Sequence, residues 1–178
     1  SAASDVYKRQ TSRIRAVSAQ PGGQERIVTA TWLRPGERIV DLRLARSGAR
    51  AAMLVDDGQR TTLRVSGVVR GSDGVPNALT EPILLPSSGS EDSVEWAGDT
   101  NLLVSAYAAK PDERVVPRIV SVDGTVRELN PLGGLRGISA GDDGAYYAET
   151  EEFVFLLVGS SWRAQELDRG VRDLSFPD

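Results

Sequence analysis

The chain has 178 residues, of which 21 are basic and 25 acidic, for a formal net charge of −4. That length supports a sizeable core, and mild acidity without a basic cluster argues against nucleic-acid binding. Neither histidine nor cysteine occurs, which removes disulfides, thiol chemistry, the usual zinc sites, Ser-His-Asp triads and histidine acid–base catalysis together.

In chain order, Ser1 to Gln10 match the in-frame translation of a transposon-based sequencing adaptor, so residues 1–10 are set aside as a non-native segment. Without Asp5, Lys8 and Arg9 the balance is 19 basic and 24 acidic residues. Residues 11–178 are expected to begin in mid-protein and to form part of one domain. Lys110 is then the only lysine, against 18 arginines, a ratio that codon bias in a GC-rich genome explains better than any physical demand. No stretch approaches the roughly 18 apolar residues of a membrane span.

Arg13 to Ser18 alternates polar and apolar residues and predicts a half-buried strand. Pro21-Gly22-Gly23-Gln24 is a turn, and Arg26 to Leu33 predicts a second strand; Arg34-Pro35-Gly36 then punctuates the chain. Four strands are predicted next, at Ile39–Ala45, Ala49–Val55, Thr61–Arg70 and Ala78–Leu85, with Pro82 suited to an edge position. A second set is predicted at Ser93–Ala97, Asn101–Ala108, Val115–Val122 and Thr125–Leu129, and a third at Leu135–Ala140, Ala145–Thr150, Phe153–Val158 and Trp162–Leu167. Asp123-Gly124 reads as a type I′ hairpin turn. A fourth opening, Val171 to Leu174, ends the chain.

The openings at Ile39, Val94, Ile138 and Val171 lie 55, 44 and 33 residues apart. A drifting repeat of about four strands per copy predicts an all-β fold, a partial β-propeller of about three complete four-stranded blades plus part of another, with residues 11–178 as the C-terminal part of a β-propeller domain. The competing fold is a β-sandwich; small residues such as Ala49, Ala51 and Ala52 beside the inner strands favour the crowded axis of a propeller.

Candidate chemistry is thin. Asp56-Asp57-Gly58 and Asp142-Asp143-Gly144 lack the alternating acids and closing glutamate of a calcium loop and read as solvated turns. Glu149-Thr150-Glu151-Glu152 offers carboxylates for glycoside hydrolysis, yet reads as a charged hairpin tip. Trp32, Trp96 and Trp162 suit either an aromatic platform or core packing, with packing preferred. Gly133-Gly134-Leu135-Arg136-Gly137 lacks the glycine spacing and following helix of a phosphate loop. Most arginines alternate with apolar residues and belong to solvent faces. No catalytic, cofactor-binding or metal-binding residue is assigned, and the partner-facing surface is left open.

Ala45-Arg46-Ser47-Gly48-Ala49-Arg50-Ala51-Ala52 is similar to the SPDG-x-R-x-A turn of TolB-like propellers, with the aspartate position altered. An ordered series resembles the C-terminal propeller of the actinobacterial LpqB lipoprotein family. It comprises Leu79-Thr80-Glu81-Pro82, Val94-Glu95-Trp96-Ala97, Asn101-Leu102-Leu103-Val104, the run from Pro117 to Gly124, and the ending Ser175-Phe176-Pro177. The resemblance implies a non-catalytic interaction domain without cofactors, in a parent exported and lipid-anchored on the outer face of the cell membrane, with a GerMN-like region upstream. It also implies an accessory role toward an MtrB-like sensor kinase of an MtrA–MtrB-type two-component system, bearing on cell-wall homeostasis and division. The alternatives are a carboxylate-only propeller hydrolase and a propeller sensing a glycan or small ligand. A ring missing blades would leave open edges, so poor solubility in isolation is expected.

Overall fold

The computed structural model describes residues 14–17, 25–141 and 144–165. The adaptor-like segment, the Asp142-Asp143 pair and the Val171–Leu174 opening lie outside the described residues. Among those described, every regular element is a β-strand, and the chain divides into two compact units between Asp92 and Ser93.

The first unit holds β1 (Ile14–Val17), β2 (Glu25–Val28), β3 (Arg38–Leu44), β4 (Arg50–Asp56), β5 (Thr61–Arg70), β6 (Pro76–Leu79) and β7 (Ile83–Leu85). β1 and β2 form an antiparallel pair, and β3-β4-β5-β6 a sheet in which β7 also pairs with β5. Ala51, Ala52, Met53, Leu54 and Val55 on β4 are all fully buried. A strand covered on both faces carries a continuous apolar run rather than an alternating one, and that is what β4 does. One of its faces packs with Val28 and Leu79, flanked by Ile14, Trp32, Ile39 and Val68.

The second unit holds β8 (Ser93–Ala97), β9 (Asn101–Ser105), β10 (Arg114–Val115), β11 (Arg118–Ser121), β12 (Val126–Glu128), β13 (Leu132–Gly133), β14 (Leu135–Ala140), β15 (Tyr146–Thr150), β16 (Val154–Val158) and β17 (Ser161–Gln165). Two antiparallel four-stranded sheets, β8-β9-β11-β12 and β14-β15-β16-β17, are each built in chain order, and β10 pairs with β13. Leu103, Ile119, Leu129, Leu132, Leu135, Ile138 and Ala148 form the core, with Phe155 and Trp162 packed against it. Full burial of a leucine or valine contributes about 1.5–3 kcal/mol each, so this cluster holds the two sheets together.

These sheets match the expected blades, with four local corrections. The strand expected over Arg26–Leu33 stops at Val28: Thr29 bridges Ala78, and the Leu33 N–H closes a turn on the Ala30 carbonyl at 3.1 Å. The expected outer strand Ala78–Leu85 is two strands, because Thr80 turns in to Gly67, donating its N–H to the Gly67 carbonyl at 3.0 Å and accepting the Gly67 N–H on Oγ1 at 2.8 Å. The run Val115–Val122 breaks at Val116-Pro117, where proline has no N–H for the ladder, and β10 turns away to pair with β13. The run Asn101–Ala108 leaves its ladder after Ser105.

The Asp123-Gly124 hairpin is also corrected. A type I′ turn needs positive φ at both central residues, whereas every described positive-φ residue is a glycine. Here the Gly124 N–H bonds the Ser121 carbonyl and the Ser121 N–H bonds the Thr125 carbonyl, with Gly124 at φ 91°. That is a type I turn followed by a left-handed glycine, the three-residue hairpin. The same bond pattern recurs at 71–75 and 141–145. Asp73 Oδ1 accepts the Val75 N–H at 3.1 Å and Asp123 Oδ1 the Thr125 N–H at 2.9 Å, so the aspartates are turn-builders. The Thr125 N–H bond holds the Asp123 carboxyl below its ordinary range, and the Arg26 pair, then the Val75 N–H, does so for Asp73.

Candidate functional site

Antiparallel order decides which connections meet. In the second unit, the segment leaving β9, the return from β12 to β14 and the β15–β16 turn all lie at one end of the strands. The three-residue hairpins at 121–125 and 141–145 lie at the other. Cross-links tie the first group together: the Ala108 N–H bonds the Leu135 carbonyl at 2.8 Å and the Gly134 N–H the Glu113 carbonyl at 2.9 Å.

Between these connections lies a cleft of about 260 Å³. Pro111 and the Gly133-Gly134 pair form one wall; the other comes from the hairpin tip Thr150 to Phe153. That tip is fixed by the Thr150 N–H on the Phe153 carbonyl at 2.9 Å and the Phe153 N–H on Thr150 Oγ1 at 3.1 Å. Phe153 is 49% exposed and meets Phe155 edge-on, with ring centroids 6.1 Å apart at 62°. Arg136 reaches Glu151 at 3.4 Å, both side chains being more than half exposed.

Gly134 sets the width of the cleft. It adopts φ +64°, and a Cβ there would stand 2.8 Å from the Pro111 carbonyl oxygen. Gly134→Ala is expected to lower stability by about 1–2 kcal/mol from the left-handed backbone alone, and further by displacing the Pro111 segment. Gly98→Ala isolates the backbone component, since Gly98 has φ +69° and nothing within 4 Å. Urea midpoints of the two variants check this: a Gly134→Ala no worse than Gly98→Ala overturns the packing role.

The corresponding end of the first unit carries a polar cleft of about 240 Å³, lined by Arg38, Asp56, Arg60, Glu91 and Asp92. Arg38 Nε and Nη2 meet Asp56 Oδ2 at 2.9 and 2.8 Å. The Gly58 N–H, then Arg38, holds the Asp56 carboxyl below its usual range. Glu91 is buried and accepts the backbone N–H of Ser88 at 2.5 Å and of Gly89 at 3.1 Å, which fixes the 86–92 loop. A separate, partly buried pair is Glu37–Arg64, with Oε1···Nη2 2.6 Å and Oε2···Nη1 3.1 Å. The Arg64 hydrogen bond, ahead of the opposing effect of burial and the help of the Arg34 N–H, lowers the Glu37 carboxyl.

The tryptophans are structural. Trp96 is buried, Trp32 lies 5.7 Å beneath the Arg64 guanidinium, and Trp162 donates its indole N–H to the Asn130 carbonyl at 3.0 Å. Glu149-Thr150-Glu151-Glu152 forms the expected hairpin tip, and its last three residues line the aromatic cleft. Gly133-Gly134 serves that cleft's shape. Arg64, only 15% exposed at its side chain, departs from the expectation that arginines occupy solvent faces. Among the described residues no group of three or more acidic side chains is placed to hold a metal ion, and no helix is long and apolar enough to cross a membrane.

The family profile described as the lipoprotein LpqB β-propeller domain matches residues 6–177. No curated protein matches. A solved prolyl endopeptidase structure, from a study of inter-domain dynamics in catalysis and specificity, aligns with TM-score 0.51 at 19% identity, over 85% of this chain and 24% of that one. Prolyl oligopeptidase B from Galerina marginata, bound to a 35mer hydrolysis and macrocyclization substrate, aligns with TM-score 0.47 at 18% identity over 81% and 24%. The chain thus spans about a quarter of the length of these peptidases, and likeness at such identity concerns the fold alone.

Proposed function

The chain belongs to the family of lipoprotein LpqB β-propeller domains, and from that premise we propose that it is a non-catalytic, extracytoplasmic interaction domain. Its parent is an LpqB-like lipoprotein anchored by lipid at the outer face of the cell membrane. The partner is the extracellular domain of an MtrB-like sensor kinase, and the role is accessory regulation of an MtrA–MtrB-type system. The observation that carries this reading is the family match along nearly the whole chain.

The chemistry of the clefts supports it. With no histidine or cysteine in the chain, acid–base work falls mainly to carboxylates. A hydrolase of that type needs one acid raised by burial opposite a second, about 5–10 Å away. Asp56 is instead lowered by its Gly58 and Arg38 contacts, Glu91 accepts two backbone N–H bonds, and Glu151 is tied to Arg136.

Affinity capture from the source cells' envelope tests the proposal, with the intact parent protein as bait. Enrichment of the sensor kinase is expected; no kinase above background overturns it.

A further inference from the structure

We propose that the aromatic cleft of the second unit receives an arginine side chain from an extended segment of the partner protein. This rests on reading the chain as an interaction domain. Phe153 offers a half-exposed ring held on edge by Phe155, and Pro111 and Gly134 line the same cleft. A volume of about 260 Å³ admits a long side chain together with part of its neighbour. Charge selects which one. Two glutamates, Glu151 and Glu152, border the rings, and the one arginine among the lining residues, Arg136, is turned onto Glu151 at 3.4 Å. The Glu152 carboxylate has no partner among the described residues. An apolar floor with an unmatched carboxylate at its rim is complementary to a cation on an apolar stem. Arginine fits better than lysine, because a planar guanidinium can stack on Phe153 while forking onto a carboxylate.

The cleft also lies where a partner can reach it. It is built from turns and strand returns at one end of the sheets, with no ladder bond to break on docking, and loops on a rigid scaffold are the usual place for recognition.

Fluorescence anisotropy on the full chain tests the assignment. The probe is an end-blocked, labelled six-residue peptide carrying one arginine beside one leucine. Its control carries citrulline, which keeps the shape and loses the charge. Expected are saturable binding of the arginine peptide and weaker binding of the citrulline peptide. Glu152→Gln and Phe153→Leu should each lose about three- to five-fold in affinity, as removal of an exposed ion pair or cation–π contact implies. Both side chains are exposed, so the variants should keep the parental melting temperature.

No saturable rise, equal binding of the two peptides, or variants that bind like the parent would overturn the proposal. So would binding of a neutral chitotetraose with no binding of the arginine peptide, which points to a glycan. The kinase capture separates the two readings. Capture unchanged by Glu152→Gln and Phe153→Leu overturns the cleft assignment and leaves the functional reading standing. Selective peptide binding without kinase capture supports the cleft and removes the kinase.

Discussion

Replacing Glu37 by alanine is expected to destabilise the protein by about 1.5–3 kcal/mol, because it leaves a partly buried guanidinium without its charged hydrogen-bond partner. The Glu37 and Arg64 side chains are only 8% and 15% exposed. Arg64 Nε also donates to Thr62 Oγ1 at 3.1 Å, and Thr62 Oγ1 donates to the Val55 carbonyl at 3.1 Å. The arginine is therefore held in place by neighbours that survive the mutation, and it cannot easily swing to water. The double variant Glu37→Leu with Arg64→Met removes both charges and is expected to recover most of the loss, since the penalty lies in the unpaired ion. Urea unfolding followed by tryptophan fluorescence checks both, Trp32 lying against Arg64. A Glu37→Ala loss below about 1 kcal/mol, in the range of an exposed pair, would show that the site is open to solvent.

The pair also gives the stability a pH dependence of definite sign. The folded-state Glu37 carboxyl is lowered relative to the unfolded chain, chiefly by Arg64. Its contribution is present above the ordinary glutamate range, near pH 4.3, and is lost as pH falls through the lower folded value. Asp56 acts in the same direction through Gly58 and Arg38. Stability should thus fall on acidification below about pH 4, and the slope should flatten in Glu37→Gln.

The sequence carries the repeat most clearly where a blade buries its second strand, as the first two do, because burial leaves an apolar run such as Ala51 to Val55 or Leu102 to Val104. β5 was legible at both ends, bounded by the Gly58 turn and Gly71. Hairpins with Asp-Gly were legible as turns; their type was not, since both turn families favour the same residues and φ at Asp123 depends on loop length. The two-residue pair β10–β13 joins segments 18 residues apart and is too short to leave a period. Its parts are visible only as the loop Lys110–Glu113 and the glycines 133–134, and only antiparallel alternation brings them beside Glu151 and Phe153. The Glu37–Arg64 pair, 27 residues apart, has no local signal: Arg64 alternates with apolar neighbours like the arginines that do face water.

Leu135→Ala is expected to cost about 2–5 kcal/mol and to weaken the aromatic cleft as well. Leu135 is fully buried in the core with Leu103, Ile119 and Leu132. It sits in sequence between Gly134 and Arg136, both of which line the cleft. Its carbonyl takes the Ala108 N–H, so one residue joins the core, the β9 exit and the floor on which the cleft walls stand. Truncation leaves a cavity beneath Gly134, and Phe155, packed against the same cluster, loses support for the ring that positions Phe153. Leu135→Met keeps the volume and is expected to cost less than about 1.5 kcal/mol. Leu63→Ala, at a fully buried position in the first unit, serves as the comparison: a similar stability loss, with the arginine peptide bound as in the parent. Urea midpoints and anisotropy titrations at low denaturant separate the two effects. If Leu135→Ala and Leu63→Ala lose stability equally and neither changes peptide affinity, the cleft does not depend on the core beneath it.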